Sequence, residues 1–138
     1  MFEKQYSLRK IDKLMIVSHP DDDAIFGGAS LLSEKGWKVV CTTCSNDNIR
    51  RKEFEEAMKF AGVLDYEIWD FKTDLNIPCN NPNDIKEKIK KLLSERRYKR
   101  IVTHNPEGEY GHIQHKFLSG LIFSPFFIIS KCKCGPVE

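Results

Sequence analysis

Apolar positions along this chain change their spacing several times, and each change marks an element. Leu14 to Ser18 is a short apolar, β-rich run that stops at His19-Pro20, as a buried strand does. Ile25, Gly28, Ala29 and Leu32 then recur at i, i+3, i+4 and i+7, the stripe of a helix, and Gly36 is its natural stop. Trp37 to Cys44 predicts a second strand. Phe54, Ala57, Met58 and Ala61 predict a second helix ended by Gly62. Tyr66 to Phe71 reads as a third strand, and Ile85, Ile89, Leu92 and Leu93 mark a third helix after an Asn/Pro-rich loop. Arg100 to Thr103 is a fourth strand, with a further helix behind it.

Strands that alternate with helices form a mainly parallel sheet, because right-handed crossovers place the helices on its two faces. The predicted fold is therefore α/β: a three-layer, Rossmann-like arrangement with a mainly parallel sheet flanked by helices, built as a single domain over residues 1–138. In such sheets ligands gather beyond the carboxyl ends of the strands. His19 to Asp23 leaves the first strand and His104 to His115 leaves the fourth, so two polar clusters distant in sequence should share one rim.

Composition narrows the partners. Twenty-two Lys and Arg against twenty Asp and Glu leave a net charge of +2, which is not the basic field of a general nucleic-acid binder. The basic stretch Lys86 to Arg100 interleaves with the apolar stripe of the third helix and reads as its solvated face. The longest apolar run, Phe117 to Ile129, contains Gly120 and Pro125 and falls short of the roughly 18 to 20 residues that a bilayer requires, so no membrane span is expected. That run needs burial in the fold or against a second copy, which makes a homo-oligomer through the C-terminal segment the expectation. Five scattered cysteines without a secretory leader suit a reducing, cytoplasmic setting. Cys41 and Cys44 lie three apart in a strand-like run, on opposite faces, and so should not grip one ion together.

The chemistry sits in the two rim clusters. Ser18-His19-Pro20-Asp21-Asp22-Asp23 packs an imidazole and three carboxylates at a strand end, an arrangement that a divalent cation would relieve. A helix N-terminus dressed with acids is the bland alternative. His112-Ile113-Gln114-His115 is expected to open a helix and show both imidazoles on one face. Together the clusters hold the parts of a catalytic zinc site: two His and one carboxylate for the ion, with another carboxylate and another His left for acid/base work. No G-x-G-x-x-G follows the first strand, and Gly27-Gly28 lies inside a helix, which argues against a dinucleotide-binding module.

These residues resemble the PIG-L/LmbE-like deacetylases, which remove acetyl groups from N-acetylglucosamine-containing substrates. The resemblance rests on His19-Pro20-Asp21-Asp22, on Arg50-x-x-Glu53-Phe54-x-x-Ala57, and on Gly108-Glu109-Tyr110-Gly111-His112-x-x-His115-Lys116, in that order. It implies that His19, Asp22 and His115 hold zinc, or another divalent metal such as iron, and that Asp21 is the general base for a zinc-bound water. It implies that His112 stabilises the oxyanion or protonates the leaving amine, that Tyr110 polarises the acetyl carbonyl, and that Arg50 contacts the amino-sugar substrate. For Arg50 a structural role within its helix is an equal alternative. Two departures stand out. Asp23 replaces the family's usual Glu, and only Lys116 to Glu138 follows His115 of the last motif where family members continue further. The expectation is an N-deacetylase with a reduced substrate wall; the alternative is a chain that keeps the metal site but not the catalysis.

Overall fold

A computed structural model describes residues 10–72, 76, 77 and 79–124. The order is β1 (Lys13–Val17), α1 (Asp22–Ser33), β2 (Trp37–Cys41), α2 (Asn48–Ala61), β3 (Asp65–Ile68), α3 (Pro82–Ser94), β4 (Arg100–Val102), a single turn α4 (Gly108–Gly111) and α5 (Ile113–Ile122). The four strands form one sheet in the order β3-β2-β1-β4. Every pairing is parallel, with Met15 opposite both Val39 and Val102. The α/β, parallel-sheet expectation therefore holds.

Alternation along the buried strands divides the core between the two faces. Leu14 and Ile16 of β1 join Val40, Ile101, the α3 residues Ile85, Ile89, Leu92 and Leu93, and Leu118 and Ile122 of α5. Met15 and Val17 turn the other way and join Val39, Leu31 of α1, and Phe54 and Met58 of α2. The sheet thus lies between α3 and α5 on one side and α1 and α2 on the other. Leu118 and Ile122 show what part of the apolar C-terminal run does: α5 buries it on the sheet. Residues 125–129 of that run lie outside the described residues.

Ends are set by local chemistry. Asp47 caps α2 by accepting from the amides of Ile49 and Arg50, and Gly62 closes it in the left-handed conformation (φ 71°), its N–H reaching the Lys59 and Met58 carbonyls. Strand ends fall short of the apolar runs. β2 stops at Cys41 rather than Cys44, because Thr42 and Thr43 turn their hydroxyls onto the Ser18 carbonyl and Cys44 takes a left-handed φ of 73°. Cys44 is thus off the strand, and the two-face argument for the cysteine pair does not apply. β3 likewise ends at Ile68, while Trp69 and Phe71 still donate their amides to Cys41 and Thr42.

Lys38, at the opposite end of β2 from the site, is buried with its ammonium 2.8 Å from Glu67, 3.3 Å from Asp65 and 3.3 Å from Glu95. Burial acts to raise the Glu67 carboxyl, but Lys38 outweighs it and holds Glu67 below the usual range. A carboxyl whose folded pKa is depressed contributes stability above its unfolded value of about 4.3 and loses it as pH falls through the folded one. Replacing the ammonium leaves three carboxylates facing one another. Lys38→Met should therefore cost about 2 kcal/mol in urea unfolding at neutral pH, less than for a wholly buried pair because the carboxylates are half-exposed. The gap from the parent should narrow below about pH 4. An unchanged midpoint at neutral pH would mean that desolvation already cancels the attraction.

Candidate metal centre

The strand order reverses between β1 and β4, since β2 and β3 lie to one side of β1 and β4 to the other. Chain segments leaving the carboxyl ends at that reversal diverge and open a crevice. Both rim clusters are there. His19 and Asp21-Asp22 follow β1, His104 follows β4, and α4 with the start of α5 brings Glu109, His112 and His115 across.

Asp22 is the hub. Its Oδ2 lies 3.4 Å from His19 Nδ1, 3.2 Å from His115 Nε2 and 3.4 Å from His104 Nε2, and accepts the His19 amide at 2.9 Å. Burial pushes its carboxyl up, the His19 ring and amide act to hold it down, and the balance leaves it well below the usual range, so it is ionised. Among the described residues, two groups of three ligand atoms lie within 4.8 Å of one another: His19, His112 and His115, and Asp22, His104 and His115. His115 belongs to both. Neither group contains a cysteine.

His115 itself indicates what is needed there. Its Nδ1 lies 2.7 Å from Glu109 Oε2, a carboxylate that can only accept, so Nδ1 carries the proton. Burial first, and then the neighbouring His104, push its pKa down, which keeps the ring neutral. Nε2 is then a bare lone pair. It is buried without a hydrogen bond and faces the ionised Asp22 across 3.2 Å. A lone pair aimed at a carboxylate is unfavourable until a cation sits between them, so the residues present fit a divalent ion.

His112 departs from the expectation that both imidazoles ride on one helix. It is the N-cap of α5, in extended conformation, and its Nδ1 accepts the Gln114 amide at 3.3 Å. Asn, Asp and Ser commonly fill this position; here an imidazole does, which is why helical spacing misdescribed the pair. The two rings nonetheless stack, 4.4 Å between centroids and 15° apart. Burial and the nearby His19 lower the His112 pKa. With Nδ1 accepting, the neutral ring carries its proton on Nε2.

The remaining residues take distinct places. Asp21 is exposed, with a left-handed φ of 83° at the start of α1. Arg50 donates to the Pro20 carbonyl at 2.9 Å, and its other terminal nitrogen is 3.9 Å from Asp21 Oδ2, so it ties α2 to the His19–Asp21 turn. Tyr110 is largely exposed, with its ring 5.9 Å from those of His112 and His115. Asp23 is buried with Oδ1 lacking a hydrogen-bond partner, and burial pushes its carboxyl up. Sequence reasoning assigned no role to His104 or Glu109. His104 is buried, stacked on His115 at 3.7 Å and 11°, and bonded to Glu109 at 3.1 Å. A histidine directly after a strand at the reversal point was the available signal.

A model of the PIG-L family, GlcNAc-PI de-N-acetylase, matches residues 14–124, and the chain belongs to that family. It is also similar to an uncharacterized protein, L374, of Acanthamoeba polyphaga mimivirus, 38% identical over 130 residues and covering 83% of this chain. The chain spans 57% of that relative's length. Among the described residues no helix is long and apolar enough to cross a membrane.

The Arg50 contact is open to direct measurement. Arg50→Ala removes a charge-assisted hydrogen bond to a backbone carbonyl and should cost about 1 kcal/mol in unfolding of the metal-free protein. No loss would mean that the guanidinium merely lies over the turn.

Proposed function

We propose that this chain is a metal-dependent N-deacetylase acting on an N-acetylglucosamine-containing substrate, with His19, Asp22 and His115 as metal ligands. The observation that carries the reading is the bare, buried Nε2 of His115 facing ionised Asp22. Family membership supports the deacetylase class. Asp22 is preferred to His112 as third ligand because it supplies negative charge and lies within 3.4 Å of both other ligands. The donor set of two imidazoles and one carboxylate suits zinc.

A divalent ion held there supplies Lewis acidity, which polarises an amide carbonyl and makes water acidic enough to attack near neutral pH. Asp21, exposed beside the ligands, accepts the proton of the attacking water. His112, with a proton on Nε2, donates to the oxygen that gains charge as the carbonyl becomes tetrahedral. Tyr110 stands at the open side of the same rings, where it can add a second donor. Arg50 acts through the turn that presents Asp21, and a sugar contact from its exposed side is compatible with that. A homodimer joined through the apolar C-terminal segment and a cytoplasmic setting complete the reading. A chain that binds metal with little turnover is the second reading, which the assay below separates from the first.

Two measurements test this. Metal content after dialysis against zinc should fall from about one ion per chain to near zero in His115→Ala and Asp22→Asn, whereas His112→Ala should keep its ion; retention in His115→Ala would remove the ligand assignment. In an assay of amine release from an N-acetylglucosamine conjugate, Asp21→Asn should keep the metal and lose roughly a hundredfold or more in rate. Near-parental turnover would move the base elsewhere, and a metal-loaded parent without turnover would favour the second reading.

A further inference from the structure

We propose that Glu109 is a positioning residue for the metal centre: by accepting from Nδ1–H of His104 and of His115 at once, its carboxylate fixes the tautomer that leaves His115 Nε2 bare. This rests on the reading of His115 as a ligand. Oε2 stands 2.7 Å from His115 Nδ1, and Oε1 stands 3.1 Å from His104 Nδ1 and 2.9 Å from the Asn105 amide. Three donors thus converge on one carboxylate, and neither oxygen has a proton to give.

His104 is the second half of the device. Its Nε2 lies 3.0 Å from the Ser18 amide and 3.4 Å from Asp22 Oδ2. A proton on that nitrogen would serve the longer contact and set two donors against each other in the shorter one. The Ser18 N–H therefore makes Nε2 an acceptor and places the His104 proton on Nδ1, toward Glu109. That lone pair is spent on the end of β1, so His104 is not a metal ligand. It is a spacer, stacked flat on His115, through which Ser18 and Glu109 hold both rings in one orientation.

The backbone agrees with this role. Glu109 has φ 60° and ψ −74°, outside the helical region, although it is not a glycine. Such a conformation costs of order 1–3 kcal/mol and persists where surrounding contacts over-determine it. Gly108, just before it, also has a positive φ of 70°, and a Cβ there would stand 3.0 Å from Lys116 Cγ, so the turn that delivers Glu109 depends on that glycine. Carboxylates that orient ligating imidazoles through the far nitrogen are a general feature of metal sites. Here one carboxylate orients two rings, only one of which is a ligand.

Glu109→Gln tests the logic because an amide has one acceptor and one donor where the carboxylate has two acceptors. Its NH₂ must face one of the two rings, and that ring must move its proton to Nε2. Histidine-ring ¹⁵N–¹H correlation spectra of the full, metal-free chain read the tautomers directly. In the parent both His104 and His115 should be protonated on Nδ1 alone; Nε2–H on either would overturn the proposal, whether or not the variant folds. In folded Glu109→Gln at least one ring should switch, and two unchanged rings would overturn it. Zinc affinity, measured against a competing chelator, should fall roughly 10- to 100-fold in the variant with its circular dichroism unchanged; equal affinity would contradict the proposal. A parent that does not bind zinc at all would sink the ligand assignment, while the tautomers would still decide the role of Glu109.

Discussion

One unfavourable contact organises this rim: a neutral imidazole nitrogen with its lone pair exposed to an ionised carboxylate, both shielded from water. Neither partner can escape it. Glu109 holds the proton on the far side of the His115 ring, and burial opposes adding a second one. The amide of His19 and the start of α1 hold Asp22 in place. Such a contact costs stability in the absence of a cation, and its persistence in a well-packed fold is the physical reason for reading the cluster as a metal centre rather than an acidic helix start.

The fold's contribution is to make that contact from residues far apart in sequence. Parallel strands leave the sheet in one direction, and the reversal of order between β1 and β4 separates the segments that follow them. His19 and Asp22 come from one, and His104, Glu109, His112 and His115 from the other. Ser18 links the two levels, since its amide meets His104 while its carbonyl gathers the hydroxyls of Thr42 and Thr43. The end of β1 is therefore tied to both neighbouring strands at the point where the proposed ligands begin.

Much of this was legible in the chain. The 3.6-residue stripes located α2 and α3 and the apolar runs located all four strands, because burial on a sheet face imposes those periods; on α1 the stripe Ile25, Gly28, Ala29 and Leu32 found the helix but not its buried face, which carries Gly27 and Leu31 while Ile25 and Leu32 are exposed. Strand ends were overestimated: beyond Thr42, whose backbone still bonds Val17 and Phe71, the chain turns at Cys44 in a left-handed conformation, and apolarity alone does not report that. The site motifs were visible as residue types, yet their geometry was not. Helical spacing placed His112 and His115 on one helix face, whereas His112 caps the helix and the pair meets by stacking. His104 and Glu109 went unassigned because their roles lie in contacts across the site, from His104 to the Ser18 amide at 3.0 Å and to the Glu109 carboxylate at 3.1 Å, which no periodicity encodes.

A crystal of the zinc-loaded chain, with anomalous difference density recorded on both sides of the zinc edge, tests the central claim most directly. The account predicts one ion between β1 and β4, bound by His19, Asp22 and His115 Nε2 at about 2.0–2.2 Å, with Nδ1 of His115 still on Glu109. An ion coordinated by His104, or by a cysteine, with His115 Nε2 left unliganded would contradict it.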